Sequence, residues 1–187
     1  MKMIPGLAVA CVLLTGIVGS GSTNLNVLDD DPRLFMSGGV LEFEGQPFMG
    51  TREGRAEDGA VVERMPFRDG FRHGVARAWY ENGAPRYERR YVEGDEDGLH
   101  RGWYPTGGLK FEFRFEDGLL SGLAREWFED GILFKEFRYV SGHEDGLQRM
   151  WYEDGELRAN YVVMDGRRYG RIGAKGCVSF IDVGAET

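Results

Sequence analysis

The 187-residue chain has little of what a disulfide framework, a metal centre or a catalytic site needs. Its two cysteines are Cys11, inside an apolar amino-terminal segment, and Cys177, so removal of that segment leaves no partner for an internal disulfide. The three histidines, His73, His100 and His143, share no metal-ligand spacing. Nucleophile-elbow, phosphate-loop and zinc-helix motifs are absent. We therefore predict a protein that is not an enzyme and that has no catalytic residue, metal or cofactor.

Lysine is scarce as well. Arginine accounts for 19 of the 23 basic residues, and the formal net charge is −8. An acidic balance argues against nucleic acid and against anionic lipid as partners. A surplus of arginine over lysine favours planar pairing and stacking of guanidinium groups.

The amino-terminal segment has its own composition. Lys2 precedes an apolar run from Ile4 to Val18, and small residues follow up to Ser22. This pattern predicts a cleaved secretory signal over residues 1–22 and an exported protein, which would be periplasmic, envelope-associated or secreted. An uncleaved anchor and a lipoprotein modified at Cys11 are the alternatives.

The strongest pattern in the chain is a 24-residue repeat. A glycine lies five residues before and four residues after each tryptophan, which gives the same spacing four times. Repeats of this length predict stacked supersecondary units, each held chiefly by its neighbours. The tryptophans are Trp79, Trp103, Trp127 and Trp151.

Within one unit the apolar residues alternate with period two. Asn82-Gly83 lies between two aromatic-rich runs, which is a signal for a hairpin with a type I′ turn. The residues from Gly94 to Gly98 then connect to the next unit. The sequence therefore predicts an all-β fold, an elongated antiparallel meander of stacked 24-residue β-hairpins in one twisted layer.

A two-residue turn also predicts which side chains face each other across each hairpin. Tryptophan would face a cation, as in Trp79 with Arg86 and Trp103 with Lys110. Opposite charges would meet in three successive units, as Arg77 with Glu88, Arg101 with Glu112, and Arg125 with Glu136.

The repeat places the domain boundaries. Residues 38–171 form the predicted hairpin-repeat domain, whose first unit is degenerate because Arg55 occupies the tryptophan position. Residues 23–37 are polar and aperiodic and predict a tether. Residues 172–187 predict a capping strand and a tail, because apolar residues alternate within them.

The pattern Gly-x-x-x-Gly-[Leu/Val]-x-Arg-x-Trp-[Tyr/Phe]-x-x-Gly occurs in Gly94–Gly107 and in Gly118–Gly131. It resembles the MORN-repeat variant of the YwqK-type antitoxin family, over about Gly38 to Gly170. The resemblance implies stacked β-hairpins and a non-enzymatic interaction module. A weaker likeness is to the choline- and glucan-binding repeats of cell walls.

Two rows of side chains are candidates for partner binding. An exposed tryptophan row could stack on a sugar ring, although packing between neighbouring units is the competing interpretation. The arginines could form an anion groove, or could only pair with glutamates. We expect a protein-binding or scaffolding module, with a cell-envelope glycan binder and an antitoxin-like neutraliser of a partner protein as alternatives. The candidates are Trp79, Trp103, Trp127, Trp151, Arg77, Arg101, Arg125 and Arg149.

Overall fold

A computed structural model describes residues 25–171, so the predicted signal over residues 1–22 and the predicted capping strand and tail over residues 172–187 lie outside the described residues. The described part contains eighteen strands, and no helix in it is long and apolar enough to cross a membrane. In chain order the strands are β1 (Leu25–Leu28), β2 (Leu34–Ser37), β3 (Val40–Phe43), β4 (Gln46–Pro47), β5 (Gly50–Arg55), β6 (Val61–Arg68), β7 (Phe71–Arg72), β8 (Gly74–Trp79), β9 (Pro85–Val92), β10 (Asp95–Glu96), β11 (Gly98–Trp103), β12 (Leu109–Glu116), β13 (Leu119–Leu120), β14 (Gly122–Trp127), β15 (Leu133–Val140), β16 (His143–Trp151), β17 (Leu157–Met164) and β18 (Arg167–Arg171).

Fifteen strands form one long sheet, whose order is β1-β5-β6-β8-β9-β11-β12-β14-β15-β16-β17-β18, with β7, β10 and β13 beside this path. Successive strands from β5 onward are antiparallel neighbours, and this order confirms the predicted all-β meander of stacked hairpins. The predicted degenerate first unit is the hairpin of β5 and β6, which pair in the same sheet. One pair departs from the prediction, because β1 lies parallel to β5 and makes the sheet mixed.

The predicted polar tether over residues 23–37 is wrong for residues 25–37. β1 pairs with β5, and β2 joins β3 and β4 in a separate three-stranded sheet, called here the small sheet. The physical reason is burial: Val27 is 4% exposed and forms a cluster with Leu41 and Phe48. The burial of Val27, the packing of Leu34 against the same cluster and the backbone pairing of β1 and β2 together order this stretch.

The turn chemistry differs from the prediction. Tyr80 N donates to Ala84 O at 2.8 Å and Gly83 N donates to Tyr80 O at 2.8 Å, so the loop has three residues. Gly83 has a positive φ of 80° and Asn82 does not, which is a turn with a left-handed glycine and a bulge instead of type I′. Type I′ geometry needs positive φ at both central residues, and that occurs in the connections between units. These are Asp69-Gly70, Glu93-Gly94, Asp117-Gly118, Ser141-Gly142 and Asp165-Gly166.

The extra loop residue changes the register only next to the turn. Arg77 faces Glu88, Arg101 faces Glu112 and Arg125 faces Glu136, as predicted. The prediction for the tryptophans is wrong, because a bulge between Ala78 and Trp79 pairs Trp79 with Pro85. An equivalent bulge between Gly102 and Trp103 pairs Trp103 with Leu109 in the next hairpin. Arg86 and Lys110 instead lie over tyrosine rings, at 5.4 Å from the centre of Tyr87 and at 5.3 Å from the centre of Tyr104.

The two faces of the long sheet are buried to different extents. On one face, large rings pack over small residues of the opposite strand, and Ala76, Ala78 and Tyr91 are at most 2% exposed. Burial is organised in separate local clusters along the sheet, one around Met65 and Tyr91 and another around Phe137 and Tyr161. This is the packing expected of a stack, in which each unit contacts its neighbours.

Candidate functional site

The predicted tryptophan row lies on the less buried face of the long sheet. Each tryptophan ends the first long strand of its hairpin, at the end of β8, β11, β14 or β16, and all four are half-buried. One strand separates each tryptophan-bearing strand from the next, so the rings recur about every 10 Å. Arg77 and Trp79 are two residues apart on β8 and therefore project from the same face. We call this surface, which carries the four tryptophans and the four predicted arginines, the Trp–Arg face.

A row of charged residues crosses the Trp–Arg face beside the tryptophans. Each member is paired with the next across neighbouring strands, and the row runs from β5 to β17. Within hairpins the distances are 2.8 Å from Arg77 to Glu88 and 2.9 Å from Arg101 to Glu112. The charged members of the row are Glu53, Arg64, Arg77, Glu88, Arg101, Glu112, Arg125, Glu136 and Arg149, and the row ends at the uncharged Asn160.

Glu136 is the most enclosed of the three carboxylates that face arginines within the tryptophan-bearing hairpins. It accepts hydrogen bonds from Arg125, at 2.8 Å, and from Arg149, and its side chain is 13% exposed. Burial alone would raise the pKa of Glu136, but the hydrogen bonds from Arg125 and Arg149 outweigh it and hold the pKa below its usual value. Arg149 also lies over the ring of Trp151, with its guanidinium carbon 5.5 Å from the ring centre.

The tyrosine that follows a tryptophan connects neighbouring units. The hydroxyl of Tyr80 donates to the carbonyl of Trp103 at 2.8 Å, and the hydroxyl of Tyr104 donates to the carbonyl of Trp127 at 2.8 Å. The next unit has Phe128 at this position, which has no hydroxyl and instead contacts Phe134, with ring centres 4.9 Å apart. The recurrence of tyrosine directly after tryptophan in three of the four units, at Tyr80, Tyr104 and Tyr152, was the sequence signal for this contact, which the sequence alone did not lead us to predict.

Two grooves open beside the tryptophans. The first has a volume of 730 Å³ and lies between the degenerate unit and β8, where Arg55, Val62, Arg64, Trp79 and Tyr80 are among its lining residues. Its position follows from the replacement of a tryptophan by Arg55. The Arg55 side chain donates to Glu53 and to the carbonyl of Gly59. In this position it does not fill the space that an indole ring would occupy.

The second groove has a volume of 780 Å³ and lies at the opposite end of the tryptophan row. Its walls are the rings of Phe128, Phe134, Trp151 and Tyr152, and Arg158 lies over the Tyr152 ring at 5.7 Å. Glu153 and Asp154 complete the lining. Aromatic walls with a few charged groups are typical of small-ligand grooves of this volume.

The opposite face holds two buried polar side chains at the same position of the repeat. His100 is 2% exposed, and its Nε2 lies 2.7 Å from the carbonyl oxygen of Arg90. Gln148 is fully buried and donates to the corresponding carbonyl of Arg138 at 2.9 Å. Burial lowers the pKa of His100, so its neutral form is favoured in the fold. These residues complete the backbone pairing where the register shifts between two hairpins.

Residues 25–171 contain no group of three or more His, Cys, Asp or Glu side chains that could hold a metal ion. The candidate arginines lie opposite glutamates of the neighbouring strands, and in addition Arg77 lies opposite Arg64 and Arg149 lies opposite Asn160.

Comparison with known proteins agrees with the repeat. Residues 72–93 match the family described as MORN repeat variant. The match supports a MORN-repeat identity. The matched residues begin at Arg72, the last residue of β7, and include the whole hairpin of β8 and β9. They therefore correspond to one complete structural unit. No curated protein matches the chain.

Proposed function

We propose that this chain is a non-enzymatic binding module that takes a protein partner on its Trp–Arg face. The observation that carries this proposal is the row of four half-buried tryptophans, repeated about every 10 Å beside a row of arginines. Tryptophan and arginine are enriched at the energetic centres of protein interfaces, where they combine large contact area with directed hydrogen bonds.

Exposed aliphatic side chains on the same face support the proposal. Leu123 and Leu147 lie two residues before Arg125 and Arg149, so they project from the Trp–Arg face, and they are 44% and 43% exposed. The twelve strands of the main path span about 50 Å, which is long enough for an extended contact with another polypeptide.

Photocrosslinking tests the partner class. A benzophenone amino acid placed at Leu123 or Leu147 should crosslink a polypeptide in envelope fractions, because both positions lie on the Trp–Arg face. Phe35 is the matched control, since it is 46% exposed but belongs to the small sheet. Crosslinks of equal yield at Phe35 would contradict the proposal.

Export and the finer family assignment belong to the same proposal. The Lys2 and Ile4–Val18 pattern supports a signal that is cleaved near Ser22, and therefore a partner outside the cytoplasm. An antitoxin-like role, as in the YwqK-type family, would make the partner a protein that this chain neutralises. Amino-terminal sequencing of the native protein tests export: a mature chain starting near Thr23 supports it, and a cytosolic chain starting at Met1 contradicts it.

A cell-envelope glycan is the second candidate ligand, and the groove at Phe128, Phe134, Trp151 and Tyr152 favours it. Aromatic walls beside Glu153, Asp154 and Arg158 offer ring stacking together with hydrogen bonds to hydroxyl groups. Purified wall polysaccharide should then change tryptophan fluorescence, and Trp151→Phe should abolish the change while Trp103→Phe preserves it. No response to polysaccharide would leave the protein partner as the better proposal.

A further inference from the structure

The charged row on the Trp–Arg face has one break in its order. From Arg77 to Arg149 the sign alternates from strand to strand, so that Arg101, for example, lies between Glu88 and Glu112. At the junction of β6 and β8, however, Arg64 is paired directly with Arg77. Like charges placed opposite each other in a sheet are unfavourable. The break arises because the first hairpin carries its ion pair in reverse, with Glu53 on its first strand and Arg64 on its second.

The contacts of the two arginines leave most of their donors available. Arg64 donates through Nε to Glu53 at 3.0 Å, and Arg77 donates through Nε to Glu88 at 2.8 Å. Each guanidinium group has two terminal nitrogens, Nη1 and Nη2. Within residues 25–171 none of these four nitrogens has a hydrogen-bond partner. Their side chains are 55% and 52% exposed. Because a guanidinium has five N–H donors, each group can still bind an anion with its free edge.

The first groove lies beside this arginine pair. Arg64 and Trp79 both line it, so an anion held by the arginines would have an apolar wall next to it. Carboxylates also border the groove, but they belong to the turns. The turn that contains Glu57 and Asp58 ends before Val61, three residues along the strand from Arg64, or about 10 Å. Exposed charges at that separation are largely screened at physiological ionic strength.

We infer that Arg64 and Arg77 form an oxyanion-binding site, which takes the carboxylate or phosphate side chain of a peptide whose neighbouring apolar side chain occupies the groove beside Trp79. The anion supplies the negative charge that the alternating row lacks at this junction. Arginine suits the role because its planar group binds both carboxylate and phosphate in a bidentate manner. The peptide nature of the ligand rests on the proposed function, whereas the oxyanion site does not.

Arginine side-chain NMR tests the site directly. The Nε–H resonances of Arg64 and Arg77 should shift when inorganic phosphate, a Leu-Glu-Leu peptide or a Leu-phosphoserine-Leu peptide is titrated at constant ionic strength. The peptides should bind more tightly than inorganic phosphate if the groove accepts the adjoining leucine. A stronger response to the glutamate peptide identifies a carboxylate ligand, and a stronger response to the phosphoserine peptide identifies a phosphate ligand. The chain is strongly acidic overall, so a general electrostatic field would not attract these probes.

Two matched substitutions separate the site from a structural role. Arg77→Gln and Arg168→Gln each remove one exposed pair with a glutamate, at 2.8 Å and 3.0 Å. Arg77→Gln should weaken peptide binding about tenfold, the effect of losing one charge-assisted hydrogen bond, while Arg168→Gln, on β18 and outside the Trp–Arg face, should leave binding unchanged. Equal weakening by both variants, or no shift of Arg64 and Arg77 with any probe, overturns the site. Shifts with phosphate alone, without tighter binding of either peptide, overturn the peptide ligand and the groove but keep the oxyanion site.

Discussion

At the scale of single residues, the buried face depends on rings that lie over positions without side chains. Gly102 faces Phe111, and a Cβ atom added to Gly102 would lie 2.1 Å from Cε1 of that ring. The ring of Phe111 is itself held by stacking on Phe113, with centres 4.9 Å apart. Glycine is therefore required at this position by close packing, although its backbone is not in the left-handed region.

Gly102→Ala should destabilise the fold by about 1–3 kcal/mol, because the ring has to move against its stacked neighbour. Gly108→Ala is the control, since the nearest atom to its added Cβ would be Glu129 O at 3.5 Å, an ordinary contact. Urea unfolding measures both variants. Adding Phe111→Leu to Gly102→Ala should recover part of the loss, and strictly additive effects would show that the ring is not the cause.

The burial of His100 makes the free energy of unfolding depend on pH. Its folded pKa lies below its unfolded value of 6.5 because burial opposes the charged form. Above pH 6.5 both states are neutral and the full stability is present, whereas below pH 6.5 the unfolded state binds the proton first. The free energy of unfolding should therefore decrease as the pH falls from 6.5 towards the folded pKa.

His100→Gln should remove this dependence, because Gln148 shows that glutamine at the corresponding position bonds to the same carbonyl group of its unit. His143→Gln, at an exposed position, serves as the control and should retain the dependence. Urea titrations at several pH values above 5 isolate the effect, since Glu136 contributes only as the pH falls below its unfolded value of 4.5. Identical pH profiles of the wild type and His100→Gln would contradict the assignment.

At the scale of hairpins, neighbouring units are joined by bonds that recur with the sequence period. In the connections, Gly94 N donates to Arg72 O at 2.9 Å and Gly118 N donates to Glu96 O at 3.0 Å. At the other end of the hairpins, the hydroxyls of Tyr80 and Tyr104 bond to the tryptophan carbonyl of the next unit. The hairpins that carry Tyr80 and Tyr104 are thus fixed to the next hairpin at both ends as well as along their strands, whereas the hairpin with Phe128 lacks the hydroxyl bond.

Tyr80→Phe and Tyr104→Phe should each cost about 0.5–1.5 kcal/mol, the net value of one hydrogen bond. Phe128→Tyr should stabilise by a similar amount, because the repeat places a new hydroxyl next to the carbonyl of Trp151. Tyr169→Phe is a control with no expected change, since its side chain is 44% exposed and its hydroxyl has no bond within residues 25–171. Denaturant unfolding of the four variants measures the differences, and a loss of stability in Phe128→Tyr would show that the third junction packs differently.

At the scale of the whole molecule, stability is distributed along the stack. Among the described residues the buried side chains form one cluster near each end and one near the first full unit, and Phe67 packs against the last of these and against the amino-terminal cluster. In such a fold the stability is approximately a sum of terms for single units and for neighbouring pairs. Removal of one unit should therefore leave a shorter protein of the same kind.

Deletion of Gly98 to Ser121 removes 24 residues, from the start of β11 to the residue before β14. It joins Asp97 to Gly122, and the variant should fold with a lower melting temperature. Deletion of 23 residues from the same start is the control and should melt much lower or fail to fold, because one residue reverses the facing of every side chain at the junction. Thermal melts followed by circular dichroism compare the two. Equal melting temperatures would mean that the units do not stack in phase.

The sequence by itself determined the features that depend on local periodicity. The 24-residue spacing of tryptophan and glycine specified the stacked hairpins, and the period of two specified that Arg77 meets Glu88. Both features follow from the alternation of side chains along a strand, which is a property of neighbouring residues. The candidate tryptophans and arginines were recognisable for the same reason, and they share one face of the sheet.

Only the tertiary structure decided the features that depend on which strands become neighbours. Asn82-Gly83 has the stronger type I′ signal, yet the type I′ geometry lies at Glu93-Gly94, where Gly94 N donates to Arg72 O of the preceding unit. The stretch around Val27 is ordered because β1 pairs with β5, a strand that follows it later in the sequence. The facing of Arg64 and Arg77 could not be read from a single hairpin, because these residues belong to two hairpins and meet only when the hairpins pair.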